Sequence, residues 1–149
     1  MKTKSIFLVL LMTLTLFSIT AIYAEEATVG DSTFTVPDGF SINETTDNTV
    51  TLTGNDNTAI AIYSGDTKSI EDARQSRLDA GFTLSGEETY DVNGIEVNQQ
   101  NYNKDGINSC VYTFNKNGKD YIISYNLVEG QDIPSNEDNP VTEIVNSLN

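Results

Sequence analysis

The chain has no histidine, no tryptophan, one cysteine and three prolines among 149 residues, and only 8 Lys or Arg against 22 Asp or Glu. Each scarcity excludes a class of chemistry. Without His there is no Ser-His-Asp triad and no His ligand for zinc. The lone Cys110 cannot form an internal disulfide, so stability has to come from packing. Catalysis, if any, would fall to carboxylates, Ser, Lys, Tyr or that thiol. So few basic residues cannot neutralise a phosphate backbone, which excludes nucleic acid as a partner. Anionic membrane surfaces are disfavoured for the same reason.

A long uncharged run occurs at the N-terminus. Lys2 and Lys4 precede Ile6 to Ile22, which is apolar apart from Ser and Thr. Ala21 and Ala24 follow, then Glu25 and Glu26. This is the layout of a secretory signal peptide, residues 1–24, cut after Ala24. The −3 position is Ile22 rather than a small residue, and the run is just long enough to span a bilayer. An uncleaved anchor is therefore the alternative, and membrane contact is expected through this segment alone. Either way the rest of the chain is expected to be secreted or on the extracellular face of the membrane.

Residues 25–149 have the length of one domain, long enough to bury a core without staples. Losing Lys2 and Lys4 leaves 6 basic and 22 acidic residues, a formal charge of −16. Such a charge favours a soluble monomer and attracts cations.

The pattern predicts an α+β domain. Ser32 to Val36 alternates as a strand and meets a turn at Pro37-Asp38-Gly39. Asn43 to Asn48 is polar and reads as a loop. Thr49 to Thr53 and Thr58 to Ser64 form a hairpin around Gly54-Asn55-Asp56-Asn57. Ile70 to Ala80 reads as a helix with Ser69 as N-cap and Asp72 three residues on. Ile70, Ala73 and Leu78 lie on its stripe, Arg77 flanks it, and Gly81 ends it.

From Glu87 to Leu127 three turn dipeptides, Asn93-Gly94, Asp105-Gly106 and Asn117-Gly118, join four strands into a meander. Read independently, the turns agree on one register. Tyr90 faces Val97, Val97 faces Phe114, Gln99 faces Tyr112, Tyr112 faces Ile123, and Cys110 faces Asn101 and Tyr125, all on one side. The other side carries Glu96, Asn98, Gln100, Tyr102, Ser109, Val111, Thr113, Ile122, Ser124 and Asn126. It is mostly polar and expected to be wet or partly covered. The chain ends in a second helix, with Asn139 as N-cap and Pro140 at the first position. Val141, Ile144, Val145 and Leu148 form its apolar stripe, while Glu143 and Asn146 face water. The expected architecture is an antiparallel sheet of six or seven strands, including the C-terminal four-strand meander, with two packed helices.

Few residues offer chemistry. Asn55-Asp56-Asn57 and the group Glu129, Asp132, Glu137 and Asp138 supply oxygen ligands for a weak calcium site, but lack the spacing of a calcium loop. Glu87 and Glu88 could act as acid and base, except that strand neighbours point to opposite faces. Cys110 falls on the core side with no basic group to activate it. The polar sheet face, with Tyr102, offers a platform for a glycan or an extended peptide. Asn43-Glu44-Thr45 is an acceptor triplet for N-glycosylation in an exported chain.

The order of elements carries a resemblance. A strand leads into Val36-Pro37-Asp38-Gly39-Phe40, followed by a hairpin, a helix, a meander with Asn93-Gly94, and a helix ending Ile144-Val145-Asn146-Ser147-Leu148. This resembles the PsbP-like fold, shared by the extrinsic PsbP proteins of photosystem II and a Ran-binding nuclear import factor. More closely it is similar to short exported proteins of unknown function from methanogenic archaea. The resemblance covers roughly residues 28 to 149 and implies a fold; it carries over no functional residue, and the His residues of PsbP metal chemistry have no counterpart. A fold of this kind hosts unrelated functions. The expected function is a non-catalytic exported or cell-surface module, without a cofactor, that binds a protein or a glycan. The alternatives are a carboxylate-dependent hydrolase and a weak calcium-binding surface protein.

Overall fold

The computed structural model describes residues 24–65 and 67–149, with side chains described except at 66–70. The expected leader therefore lies outside the described residues, apart from Ala24, as do the side chains of Ser69 and Ile70. Among the described residues no helix is long and apolar enough to cross a membrane.

Two strands, β1 (Glu26–Val29) and β2 (Ser32–Thr35), form a small antiparallel ribbon. The remaining strands are β3 (Phe40–Thr45), β4 (Thr49–Gly54), β5 (Ala59–Gly65), β6 (Thr83–Val92), β7 (Ile95–Lys104), β8 (Ile107–Lys116) and β9 (Lys119–Asn126). They make one seven-stranded antiparallel sheet in the order β3-β4-β5-β9-β8-β7-β6. Helix α1 (Thr67–Asp79) joins β5 to β6, and α2 (Pro140–Ser147) follows β9. The described residues thus form an α+β fold with two helices and a seven-stranded sheet, although the strand at Ser32–Thr35 pairs in the ribbon and not in that sheet, where β3 takes the edge instead.

The meander has the register that its turns dictate. Val97 pairs with Phe114, Gln99 with Tyr112, Tyr112 with Ile123 and Cys110 with Tyr125. Asn93, Asp105 and Asn117 take φ of 50°, 52° and 53°, and the glycines after them 84°, 82° and 78°. Both central positions of each turn are left-handed, the geometry that matches strand twist. The β4–β5 hairpin forms as expected around Gly54 to Thr58. The Pro37 turn closes through a 3.1 Å bond from the Phe40 N–H to the Pro37 carbonyl, with Gly39 at φ 83°.

One face of the sheet carries the main core. Val50, Leu52, Ile60, Ile62, Val97, Cys110, Tyr112 and Ile123 are each at most 1% exposed there. Phe114 and Tyr121 stack across β8 and β9 with centroids 5.3 Å apart. Two elements cover this face side by side. The ribbon contributes Val29 and Phe34, and α2 contributes Val141, Ile144 and Val145, with Leu148 capping its end. They are laced together, because the Thr35 N–H donates to Ser147 Oγ at 3.0 Å and the Asn149 N–H to the Thr33 carbonyl at 2.9 Å. Glu143 and Asn146 point to solvent, as the stripe requires.

Three expectations are corrected. Residues 43–48 are not all loop: β3 runs to Thr45 and pairs with β4, with a register shift between Ile42 and Glu44. β3 is an edge, so its polar residues can stay exposed while Phe40 and Ile42 pack inward. Asn43 falls at this bulge and is exposed.

The first helix begins at Thr67, so Ser69 is inside it and not its N-cap. Leu78 is 48% exposed. It sits five residues from Ala73, roughly 140° around the helix, whereas Arg77 shares the face of Ala73. The C-terminal stop is as expected. The Gly81 N–H donates to the Leu78 carbonyl at 2.9 Å and the Phe82 N–H to the Arg77 carbonyl at 3.0 Å, a Schellman closure with Gly81 at φ 86°.

Third, the polar sheet face is partly covered, one of its two expected states, with Glu96 and Asn126 exposed, but Tyr102 on it is buried and offers no platform. The connection from β5 must cross β9, β8 and β7 to reach β6 at the far edge. Four inter-strand steps span about 19 Å. A 13-residue helix is about 20 Å long. With α2 and the ribbon on the core face, α1 crosses the other one. Tyr102, Val111 and Ile122 form a second, small core beneath it, against Ala73 and Phe82.

Candidate functional site

The residues expected to carry chemistry do not gather into one centre. Glu87 and Glu88 stand opposite Gln100 and Gln99 on neighbouring positions of β6, so they point to opposite faces. On the outer face Glu87 Oε1 accepts from Asn98 Nδ2 at 3.1 Å and Gln100 Nε2 at 3.2 Å. Those two hydrogen bonds, Asn98 first, hold its carboxyl below the usual range. Gln100 in turn accepts from the Tyr102 hydroxyl at 2.7 Å. Tyr102 is 2% exposed, so it is a buried strut and not the open platform expected of it.

The Asn55-Asp56-Asn57 loop uses its carboxylate internally. Asp56 Oδ1 accepts from Thr58 Oγ1 at 2.7 Å and the Thr58 N–H at 3.2 Å, and Oδ2 accepts from Gln131 Nε2 at 2.9 Å. Thr58 first, then Gln131, lowers its pKa. Asp138 accepts from Ser135 Oγ at 3.2 Å. Among the described residues no three of His, Cys, Asp and Glu stand close enough to hold a metal ion. At the ribbon turn Asp31 meets Lys119 at 2.9 Å, an exposed pair whose hydrogen bond lowers the Asp31 carboxyl.

Cys110 is 0% exposed, between Tyr112 and Tyr125. Burial pushes its thiol up to about 11. An unfolded thiol ionises near about 8.5. The folded state thus holds the proton more tightly. The resulting stabilisation is present below about pH 8.5 and is lost as pH rises through about 11. Native protein at pH 8 is expected to resist a thiol reagent, while guanidinium-unfolded protein reacts fully. Rapid native labelling in a chain with an unchanged melting profile would show an accessible thiolate instead.

One of the concave features that the fold assembles lies at the edge of α1. Tyr63 on β5 pairs with Ile122 on β9, and both face the side that α1 crosses. A cleft of about 290 Å³ opens between them and the helix, lined by Tyr63, Asp72, Ser76, Arg77, Ile122 and Ser124. Ile122 and Ser124 are buried and form its floor, while Tyr63 stays 39% exposed at its rim. Asp72 and Ser76 are exposed on α1. Arg77 is held in place by the sheet: its Nε donates to Ser109 Oγ at 2.9 Å, and Nη2 reaches Asn126 Oδ1 at 3.5 Å. Ser109 Oγ itself donates to Asn126 Oδ1 at 2.7 Å, fixing both acceptors.

Of this set the sequence singled out Ile122 and Ser124 as members of the polar face, and Asp72 and Arg77 as helix residues. It did not single out Tyr63 or Ser76. The available signal was parity: Tyr63 lies between Ile62 and Ser64, so a buried Ile62 turns the ring outward.

No protein-family description matches the chain, and no curated protein is significantly similar in sequence. Solved structures do match. A crystal structure from Bacteroides thetaiotaomicron superposes with a TM-score of 0.51 at 12% identity, covering 86% of this chain and 48% of that one. The chain therefore spans about half the length of that protein. The solution structure of the cyanobacterial PsbP protein, CyanoP, of Synechocystis superposes with a TM-score of 0.54 at 13% identity. That match covers 91% of this chain and 98% of CyanoP. At such identities the likeness concerns the fold alone, and the fold of this chain is PsbP-like.

Proposed function

We propose that the chain is an exported, non-catalytic binding module, secreted or held at the cell surface, that recognises a protein or a glycan. Its place is among the short exported proteins of unknown function of methanogenic archaea. The leader 1–24 is removed after Ala24, and residues 25–149 act as a monomer. The observation that carries this reading is the open cleft beside α1, where a half-exposed tyrosine and an anchored arginine flank a rigid sheet floor. Sites built on regular elements hold their groups in place before the ligand arrives, which lowers the ordering cost of binding.

A hydrolase based on carboxylates would need a general acid with a raised pKa. Asp31, Asp56 and Glu87 are moved in the other direction. Asn43, exposed at the β3 bulge, is open to an N-linked glycan.

Mass spectrometry of the protein recovered from culture medium or cell surface is expected to give an N-terminus at Glu25. The purified secreted chain is then expected to bind intact source cells saturably. A chain retained in the cytosol, or hydrolytic turnover abolished by one Asp or Glu substitution, would overturn the proposal.

A further inference from the structure

We infer that the cleft beside α1 takes a neutral hexopyranose unit of a glycan, an inference that rests on the binding-module reading above. Each wall supplies a group suited to a sugar ring. Tyr63 stands 39% exposed at the rim, and an aromatic ring can stack on the apolar C–H side of a pyranose. Asp72 can accept from a pair of hydroxyls, and Arg77 and Ser76 can donate to ring and hydroxyl oxygens. Ser124, on the floor, can do either. A set that mixes one acid, one guanidinium and two hydroxyls fits a ligand whose groups both donate and accept, as sugar hydroxyls do.

Size and charge narrow the choice. Drug-sized ligands occupy pockets of about 300–1,000 Å³. A cleft of about 290 Å³ is at the lower limit, room for about one ring with its neighbours in solvent. A formal charge of −16 on residues 25–149 repels a polyanion at long range. Acidic polysaccharides are therefore poorer ligands than neutral ones. The anchoring of Arg77 by Ser109 and Asn126 sets its guanidinium without a ligand, so the site is formed in advance.

The test is a titration of the full secreted chain with neutral hexose oligomers and with a uronic-acid oligomer of equal length, followed by NMR shifts and calorimetry. Neutral oligomers are expected to bind, to shift the Tyr63 ring and the amides of Asp72 to Arg77, and to outcompete the uronate at low salt. Tyr63→Ala should weaken binding about tenfold or more, as truncation of an aromatic anchor does, while Tyr63→Phe keeps most of it. Should Tyr63→Ala fail to fold, Ser76→Trp on the exposed rim serves instead and should block binding. Preference for the uronate, or neutral binding that neither Tyr63→Ala nor Ser76→Trp alters, would overturn the inference. So would absence of any saccharide binding by a chain that still binds source cells, and that result would leave the binding-module reading standing. Failure to bind both sugars and cells would remove the two together.

Discussion

Removal of α2 by truncation before Pro140 is expected to leave a chain that does not fold or that aggregates. Ile144→Ala is expected to destabilise the fold by about 2–5 kcal/mol, the range for large-to-small changes in a packed core. Ile144 is 0% exposed, and Val141, Val145 and Leu148 are at most 1% exposed. They close the face formed by Val97, Tyr112, Phe114 and Ile123. Bare, that face would be an apolar patch of a kind that soluble monomers avoid. Domains have total stabilities on the order of 5–15 kcal/mol, so one such substitution removes a large share. The melting temperature should fall by roughly 10 °C. Glu143→Ala and Asn146→Ala serve as controls on the solvent side and should shift it little. A truncated chain that remains a monomer with an unchanged melting temperature would show that α2 is an arm and not core.

Asn139→Ala is expected to cost about 2–4 kcal/mol, more than an ordinary cap. Asn139 is 1% exposed and works in two directions. Its Oδ1 accepts the Val141 N–H at 3.0 Å, capping α2, while its Nδ2 donates to the Tyr112 hydroxyl at 2.9 Å. Loss of a cap costs about 0.5–2 kcal/mol. Loss of the second bond deprives a buried phenol of its donor, about 1–3 kcal/mol more. Burial already pushes the Tyr112 phenol well up, so it stays neutral and an acceptor at any working pH. Tyr112→Phe removes the same bond from the other end, and the double-mutant cycle should show a coupling of about 1 kcal/mol or more between the two sites. Zero coupling in denaturant melts would mean that the two groups contribute independently, and that α2 is held by its apolar stripe alone.

Some of this architecture is legible in local chemistry. Asn93-Gly94, Asp105-Gly106 and Asn117-Gly118 each demand two left-handed residues, and such a turn leaves its strands one register. The meander follows from three dipeptides. Asn139-Pro140 and the spacing of Val141, Ile144, Val145 and Leu148 likewise mark a short amphipathic helix that cannot stand alone. The turn of the β1–β2 ribbon is local chemistry too: Gly30-Asp31, with Gly30 at φ 60°, is a Gly-X hairpin turn joining Val29 to Ser32. Ile42 and Glu44 show the limit of composition. A polar stretch can be a strand when only one side of it needs a partner, as at the edge β3.

The candidate site belongs to the other category. Its floor and rim exist because β9 pairs with β5, a contact between segments about sixty residues apart that no turn specifies. That pairing brings Tyr63 beside Ile122 and sends β6 to the far edge of the sheet. It thereby obliges α1 to cross the outer face, carrying Asp72, Ser76 and Arg77 over Ser124. Local rules act through neighbouring dihedrals and hydrogen bonds, and they determined the meander, its turns and the C-terminal helix. The order of strands is decided by which apolar faces must close over one core. Only that tertiary choice covers Tyr102, exposes Tyr63 and opens a cleft between a strand and a helix.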